Sequence, residues 1–216
     1  MLFSSVTFLF CFLPVVTIGY YVLPAILRNL FLLLASLFFY AWGEPVYLTI
    51  MIGVIVINYL AGILIAQVPQ RKRFTIWLAV ICNILILGIF KYTDFIIRSL
   101  NSVASLNIPL QNIALPIGIS FYTFQSLSYV IDLYRGNIKP QYNICKFALY
   151  VSLFPQLIAG PIVKYKDVAE QIDRRNENLN DIVEGFRRFI VGLSKKVLIA
   201  NTMGAVADKI YLCPPQ

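Results

Sequence analysis

The 216-residue sequence contains no histidine. Imidazole titrates nearest neutrality and is the side chain most often used as a general base, so no Ser-His or Cys-His nucleophile can be assembled from these residues alone. Charge is scarce as well. Asp, Glu, Lys and Arg make up 13% of the chain, against about a quarter in an ordinary soluble domain. No G-x-S-x-G elbow and no P-loop or Gly-rich phosphate cradle occurs, which removes the usual sequence marks of esterase and nucleotide chemistry. The four cysteines, Cys11, Cys82, Cys145 and Cys213, lie far apart with no C-x-x-C spacing. Disulfide frameworks and metal sites are therefore unsupported, and each cysteine reads as a small apolar residue in or beside a helix.

What the sequence does have is apolar length: 59% of it is hydrophobic. Uncharged runs cover residues 1–27, 45–70, 74–90, 99–131 and 147–163, several of them reaching the roughly 20 residues that cross about 30 Å of hydrocarbon. The run 29–43 is shorter, thin for a full span but suited to a tilted or buried one. The first run has no positive n-region and no small-x-small cleavage site, so it reads as a retained helix and not as a signal peptide. The expected fold class is all-α: a polytopic integral membrane protein with broken or re-entrant helices. A single domain over residues 1–216 is expected, with about five to six membrane segments. The net charge of +8 sits between apolar runs and not on one soluble face. It reads as topology-setting loop charge and attraction to the lipid bilayer, with no nucleic acid as partner.

Boundary signals order the segments. Helix one is expected over about 5–23, ending near Pro24 and followed by Arg28; helix two covers about 29–42, with Tyr40 and Trp42 at an aromatic belt. Gly43, Glu44 and Pro45 make a turn, helix three runs to about Gln67, and the cluster Arg71, Lys72, Arg73 precedes a helix four ending near Phe90. The positive-inside rule places that cluster and Arg28 in the cytoplasm, with Glu44 and the N-terminus outside. Residues 91–112 then lie outside, and a span over about 113–134 returns Arg135 and Lys139 to the cytoplasm. A full span at 147–163 would export Lys164, Lys166, Arg174, Arg175, Arg187 and Arg188. One Pro/Gly-broken segment is accordingly expected to enter and leave on the same side. The preferred candidate is 154–162, bracketed by Pro155 and Pro161, with a kinked complete span as the alternative. Broken backbone survives in hydrocarbon only where protein or a polar cavity re-satisfies its freed groups, so the breaks point inward, at a site. From Asn180, read as an N-cap, to about Met203 the pattern turns amphipathic. Ile182, Phe186, Phe189, Ile190, Leu193 and Val197 share one side, and Glu184, Arg187, Arg188, Lys195 and Lys196 the other. Such a helix lies flat at the cytoplasmic surface or faces a partner.

Few side chains are candidates for chemistry. Asp132, with Arg135 three residues on, reads as an internal ion pair. Gln156, between Pro155 and Leu157, has donors and acceptors that burial obliges to bond to backbone, water or substrate. Lys164 and Lys166 follow the break, where they read as exposed anchors, although a cation at a pocket mouth also suits an anionic acyl donor. Ser120, Tyr122, Thr123, Gln125, Ser126 and Ser128 make the preceding helix unusually polar, which serves interhelical bonding or a substrate path equally.

Five stretches in order carry a family likeness: FSSVTFLFCFLP at the start, RNLFLLLASLFFYAWGEPVYL over 28–48, FKYTDF over 90–95, LPIGISFYTFQSLSYVIDLYRG over 115–136, and FPQLIAGPIVKY from Phe154. Together they closely resemble the N-terminal part of the membrane-bound O-acyltransferases, of the alginate O-acetylation type, relatives of the teichoic-acid D-alanyl transferases. The resemblance implies a multi-helix enzyme of the cell membrane that takes an acyl group from a cytoplasmic donor such as acetyl-CoA, binding no resident cofactor. It delivers the group to an extracytoplasmic polysaccharide or an acyl-accepting partner protein. Such proteins are about twice this length, with a catalytic histidine in a W-H-x-S motif that this sequence lacks, so no residue here inherits a catalytic role. Gln156 stands at a motif position where such proteins carry histidine or glutamine. These 216 residues are expected to supply scaffold and part of a substrate path, with Gln156, Lys164, Ser120, Tyr122 and Gln125 the candidates, and to be inactive alone. A transporter, which also builds sites from broken helices, and a non-catalytic scaffold subunit are the alternatives.

Overall fold

Pro24 sets the first boundary. With φ fixed near −62° and no N–H to donate, it ends α1 (Leu13–Val22) and admits α2 (Ala25–Gly43), as a proline does at a helix entry. In this computed structural model residues 3–104, 107–157, 162–175 and 177–212 are described. The chain forms two compact units, Val16–Asp173 and a second made of Leu2–Val15 with Arg174–Gln216. Arg28, expected between helices, lies inside α2. Its Nε donates to Leu23 O at 3.1 Å and its guanidinium sits 5.0 Å from the Tyr20 ring. A cation that satisfies the broken carbonyl behind it and stacks on an aromatic can occupy a first helical turn. Starting at Ala25 also gives α2 19 residues, enough to cross a bilayer where the run 29–43 looked thin.

The core of the first unit is built on α3 (Leu48–Gln67), apolar all round, with Met51, Val54, Ile55, Asn58, Ala61, Gly62 and Ile65 buried at helical spacing. One 3₁₀ turn, Pro69–Arg71, leads into α4 (Lys72–Ala104). The sequence places the end of this helix near Phe90, but it runs on to Ala104, 33 residues in all. Lys91 and Arg98 are exposed on it, and charged side chains are good helix formers. At 1.5 Å per residue α4 is about 50 Å long, well beyond the hydrocarbon thickness, so its last turns protrude.

The span expected over 113–134 is shorter than foreseen. α5 occupies Ile119–Arg135, entered through Gly118 and closed by Gly136, both at φ +78°. Gly136 N–H bonds to Leu133 O and Asn137 N–H to Asp132 O, the two bonds of a Schellman end. α6 (Ile144–Ser152) is capped by Asn143, whose side chain accepts from the Cys145 and Lys146 N–H groups. It breaks at Leu153 before a single turn, α7 (Phe154–Leu157), and α8 (Tyr165–Asp173) follows. Tyr129, Phe147, Tyr150 and Tyr165 interlock, with ring centroids 4.7 Å apart for Tyr129–Phe147 and 5.1 Å for the contacts of Tyr165 with Tyr129 and Tyr150. Asn29 Nδ2 donates to Ile172 O at 2.9 Å and ties α8 to α2. Residues 158–161 of the expected re-entrant segment, and Cys213, lie outside the described residues.

The second unit contains α9 (Leu179–Ser194), a π-helical stretch Lys195–Ala200 and α10 (Asn201–Leu212). The cap is Asn178 and not Asn180: its side chain accepts from Asp181 N–H at 2.8 Å. Helix continues nine residues past the expected end at Met203. Ile182, Phe189 and Leu193 are its half-covered stripe, and Glu184 pairs with Arg188 at 2.9 Å. Among the described residues there is no strand. Four helices among the described residues are long and apolar enough to cross a membrane: Ala25–Gly43, Leu48–Gln67, Pro69–Val103 and Leu179–Tyr211, the last of them the segment expected to lie flat. The protein is an all-α, polytopic membrane protein.

Candidate functional site at the α6–α7 break

The chemistry of the break begins with Pro155, which has no N–H and cannot sit in the interior of a continuous helix. α6 therefore stops. In an unbroken helix Tyr150 O would accept from Phe154 N–H, four residues on. Here Phe154 N–H donates to Ser36 Oγ of α2 at 3.2 Å, and Ser36 Oγ donates to Leu32 O at 2.7 Å. The freed Tyr150 carbonyl takes two side-chain donors, Gln125 Nε2 from α5 at 2.7 Å and Gln156 Nε2 from α7. The Tyr150 hydroxyl donates to Val163 O at 2.8 Å. Side chains and backbone of α5, α6 and α7 and the chain at Val163 thus meet at Tyr150.

The approach of α5 to α7 depends on Gly118. A Cβ there would lie 2.9 Å from Leu157 O, closer than real contacts allow, and its positive φ already disfavours any other residue. Gly118 is thus where the start of α5 and the end of α7 touch backbone to backbone.

The structure brings together two of the five candidates for a substrate path, Gln125 and Gln156, on one carbonyl. Tyr122 is fully buried at the α5 end nearest Glu44, Ser120 is half-buried, and Lys164 is exposed ahead of α8. Asp132 does not pair with Arg135. Its Oδ1 accepts from Asn137 Nδ2 at 3.3 Å and Arg135 is exposed, because the Schellman turn folds Asn137 back over the helix end. Sequence reasoning missed Ser36 and Tyr150. A lone serine in the apolar run of α2 and a tyrosine four residues before a helix break were the available signals.

A cavity of about 860 Å³ opens beside this node, between the connection 137–144 and α8. Lys139, Gln141, Tyr165, Lys166, Glu170 and Asp173 are among its walls. Gln141 Nε2 donates to Tyr165 Oη at 2.8 Å, Gln141 N–H donates to Tyr129 Oη at 2.9 Å, and Lys146 pairs with Asp173. Burial, helped by Asp173, pushes the Tyr165 phenol up, against the Gln141 bond that lowers it. The arrangement offers donors, carbonyls and cations to a ligand. No cluster of possible metal ligands exists among the described residues.

Probable alginate O-acetylase AlgI of Pseudomonas aeruginosa is 43% identical over 98% of this chain, the match covering 42% of that protein. The chain belongs to the membrane-bound O-acyltransferase family. It is similar to further curated proteins as well. The peptidoglycan O-acetyltransferase of Helicobacter pylori is 37% identical over 96% of the chain and 46% of its own length. A teichoic acid D-alanyltransferase of Streptococcus thermophilus is more distant, 26% identical over 46% of the chain and 23% of its own length. The chain spans less than half the length of the curated relatives it matches. No protein-family model and no solved structure matches it.

Proposed function

We propose that these residues form the scaffold and part of the substrate path of a cell-membrane O-acyltransferase. It moves an acetyl or similar acyl group from a cytoplasmic thioester such as acetyl-CoA to a hydroxyl of an extracytoplasmic polysaccharide, alginate-like or peptidoglycan. In that transfer the hydroxyl oxygen forms an ester bond with the acyl carbon, the thioester C–S bond breaks, and the hydroxyl proton passes through a base to the leaving thiolate. The histidine that such proteins use as that base is not among these 216 residues, and on this reading the polypeptide by itself is inactive. Orientation follows from charge. Arg28 lies in the first turn of α2, Arg71, Lys72 and Arg73 where the chain passes from α3 into α4, and Arg135 at the end of α5, positions that share one side of the bilayer when successive spans alternate in direction. The positive-inside rule makes that side cytoplasmic and puts Glu44 outside.

The observation that carries this reading is the convergence of Gln125 and Gln156 on Tyr150 O at a helix break inside the protein. Broken backbone at membrane depth occurs where protein lines a path. The cavity has Lys139 and Lys166 among its walls beside Glu170 and Asp173, so cations are at hand there for an anionic donor. The test is a fusion in which residues 1–216 replace the matching part of the Pseudomonas aeruginosa relative. Membranes bearing the fusion are expected to acetylate alginate from labelled acetyl-CoA, and membranes bearing residues 1–216 alone are not. A correctly inserted fusion that fails to transfer, or transfer by the 216 residues alone, contradicts the reading.

A further inference from the structure

The last turns of α4 have two unlike faces. On one, Asp94 Oδ1 accepts from Gln111 N–H at 2.9 Å, while Asn101 Nδ2 donates to Ile108 O at 2.9 Å and its Oδ1 accepts from Ile108 N–H at 3.0 Å. Asp94 and Asn101 are seven residues apart and share one side of the helix. They pin the chain that leaves α4 back along it, on its way to Ile117, whose N–H reaches Glu44 Oε2 at 3.2 Å. The polar face is therefore covered by the protein itself.

The opposite face is apolar and uncovered. Tyr92, Phe95, Ile96, Leu100 and Val103 are all exposed, Phe95 by 67% and Val103 by 87%, and helical spacing centres them about half a turn from Asp94 and Asn101. Ser99 falls within the stripe, but its Oγ donates to Phe95 O at 2.9 Å, so its proton is met inside the helix.

This stripe does not begin at Tyr92. Leu78, Ile81, Leu85 and Ile89 are exposed at the same steps of three and four residues, in the uncharged part of α4 that is suited to cross hydrocarbon. One apolar face thus runs on over residues 78–103, past the point where charge enters the sequence. Lys91 and Arg98 do not interrupt it, since helical spacing sets both within about a sixth of a turn of Asp94. A helix standing in water turns charged and polar residues outward; the outer face of α4 stays apolar to its last turn. Length agrees with this. Upright, a helix of about 50 Å passes about 20 Å beyond a hydrocarbon layer of about 30 Å. At a tilt of about 30°, within the ordinary range, it projects about 43 Å, the thickness of a bilayer with its headgroup layers. Tyr92 comes about 20 residues into α4, one hydrocarbon thickness. With the Lys91 ammonium 5.6 Å from its ring, it stands where aromatic and snorkelling side chains mark the edge of the membrane.

We propose that residues 92–103 are a lipid-docking surface: their apolar stripe lies against the headgroup and upper acyl region of the leaflet opposite the cluster Arg71, Lys72, Arg73, while Asp94 and Asn101 hold the returning chain on the protein side. Lipid is the occupant because the stripe continues the lipid-facing side of the span without a break. The surface does not depend on the acyl-transfer reading.

Single spin labels placed in turn at 92, 95, 96, 98, 100 and 103 test it, in the 216-residue chain with its four cysteines replaced by serine and inserted in phospholipid vesicles. Collision with oxygen reports lipid, and collision with a water-soluble nickel chelate reports water. The oxygen-to-nickel ratio is expected to be severalfold higher at 96 and 103 than at 98, following the helical period. Nickel-dominated collision at 96 and 103 puts the stripe in water and overturns the proposal. Weak collision with both reagents there means that protein covers it, and overturns the proposal equally. A second readout leaves the cysteines in place. Phe95→Trp adds emission to that of the two native tryptophans, and vesicles of lipid brominated close to the headgroup should quench the added part; added emission that such lipid leaves unquenched contradicts docking.

Discussion

Asn58 of α3 and Asn83 of α4 exchange two hydrogen bonds of 3.0 Å, each amide nitrogen also donating to the carbonyl four residues back in its own helix, Val54 O at 2.8 Å and Ala79 O at 2.7 Å. The two amides satisfy each other inside an apolar interface and fix the register of the helices. Replacing one by leucine leaves the other with an unmet donor and acceptor, at about 1–3 kcal/mol, whereas replacing both removes the polar groups together. A double-mutant cycle in detergent, read by thermal unfolding, should show the double Asn→Leu variant losing clearly less than the sum of the singles. The coupling should exceed the roughly 0.6 kcal/mol average for interhelical bonds in membrane proteins. Additive losses would mean that the pair does not act as a unit.

Gly118 and Gly136 form a matched experiment, since both sit at φ +78° but only Gly118 has backbone against the place of a Cβ. Alanine at either costs about 1–2 kcal/mol for the left-handed conformation. Gly118→Ala should cost more, because Leu157 O must also move and the contact of α5 with α7 opens. Relative melting temperatures of the two variants check this, and equal losses would remove the close approach from the account.

Ser36 supports the break from a distant part of the chain, separated from Phe154 by 118 positions. Ser36→Ala removes a hydrogen-bond partner from the Phe154 N–H and should destabilise by about 0.5–1.5 kcal/mol. Gln125→Leu and Gln156→Leu act differently. Each alone leaves Tyr150 O one donor, so single losses should be about 0.5–1.5 kcal/mol and the double loss greater than their sum. Chemical or thermal denaturation of the four variants separates these cases.

Tyr165 links stability to pH on the alkaline side. Its folded-state pKa is raised by burial above the value of about 10 in an unfolded chain. The folded state therefore holds the phenolic proton more tightly and the unfolded state loses it first. Stability is complete below about pH 10 and falls as pH rises through the raised value. A melting-temperature series from pH 8 upward should show this decline in the wild-type chain and a smaller one in Tyr165→Phe.

Much of the architecture was legible because hydrophobic length and proline placement act locally. The end of α3 at Gln67 and the break ahead of Pro155 follow directly from composition and the missing N–H of proline. Errors arose where a charged residue has a use inside a helix. Arg28 was read as loop but reaches back to Leu23 O, and the residues after Phe90 were read as loop outside the membrane but continue α4 to Ala104. Spacing alone paired Asp132 with Arg135, while the turn at Gly136 delivered Asn137 instead. Gln125 and Gln156 were each recognisable as polar residues in apolar surroundings. Their meeting on Tyr150 O was not, because it depends on the register of three helices around a carbonyl that only the break sets free.

The central claim is that the α6–α7 break faces protein and not lipid. Spin labels at Gln156 and Ser128, both half-buried, compared with labels at Phe38 and Leu85, exposed by 53% and 57%, test it through collision with oxygen dissolved in a bilayer. The account predicts low oxygen accessibility at 156 and 128 and high accessibility at 38 and 85. Accessibility at 156 as high as at 38 would place the break against lipid and contradict it.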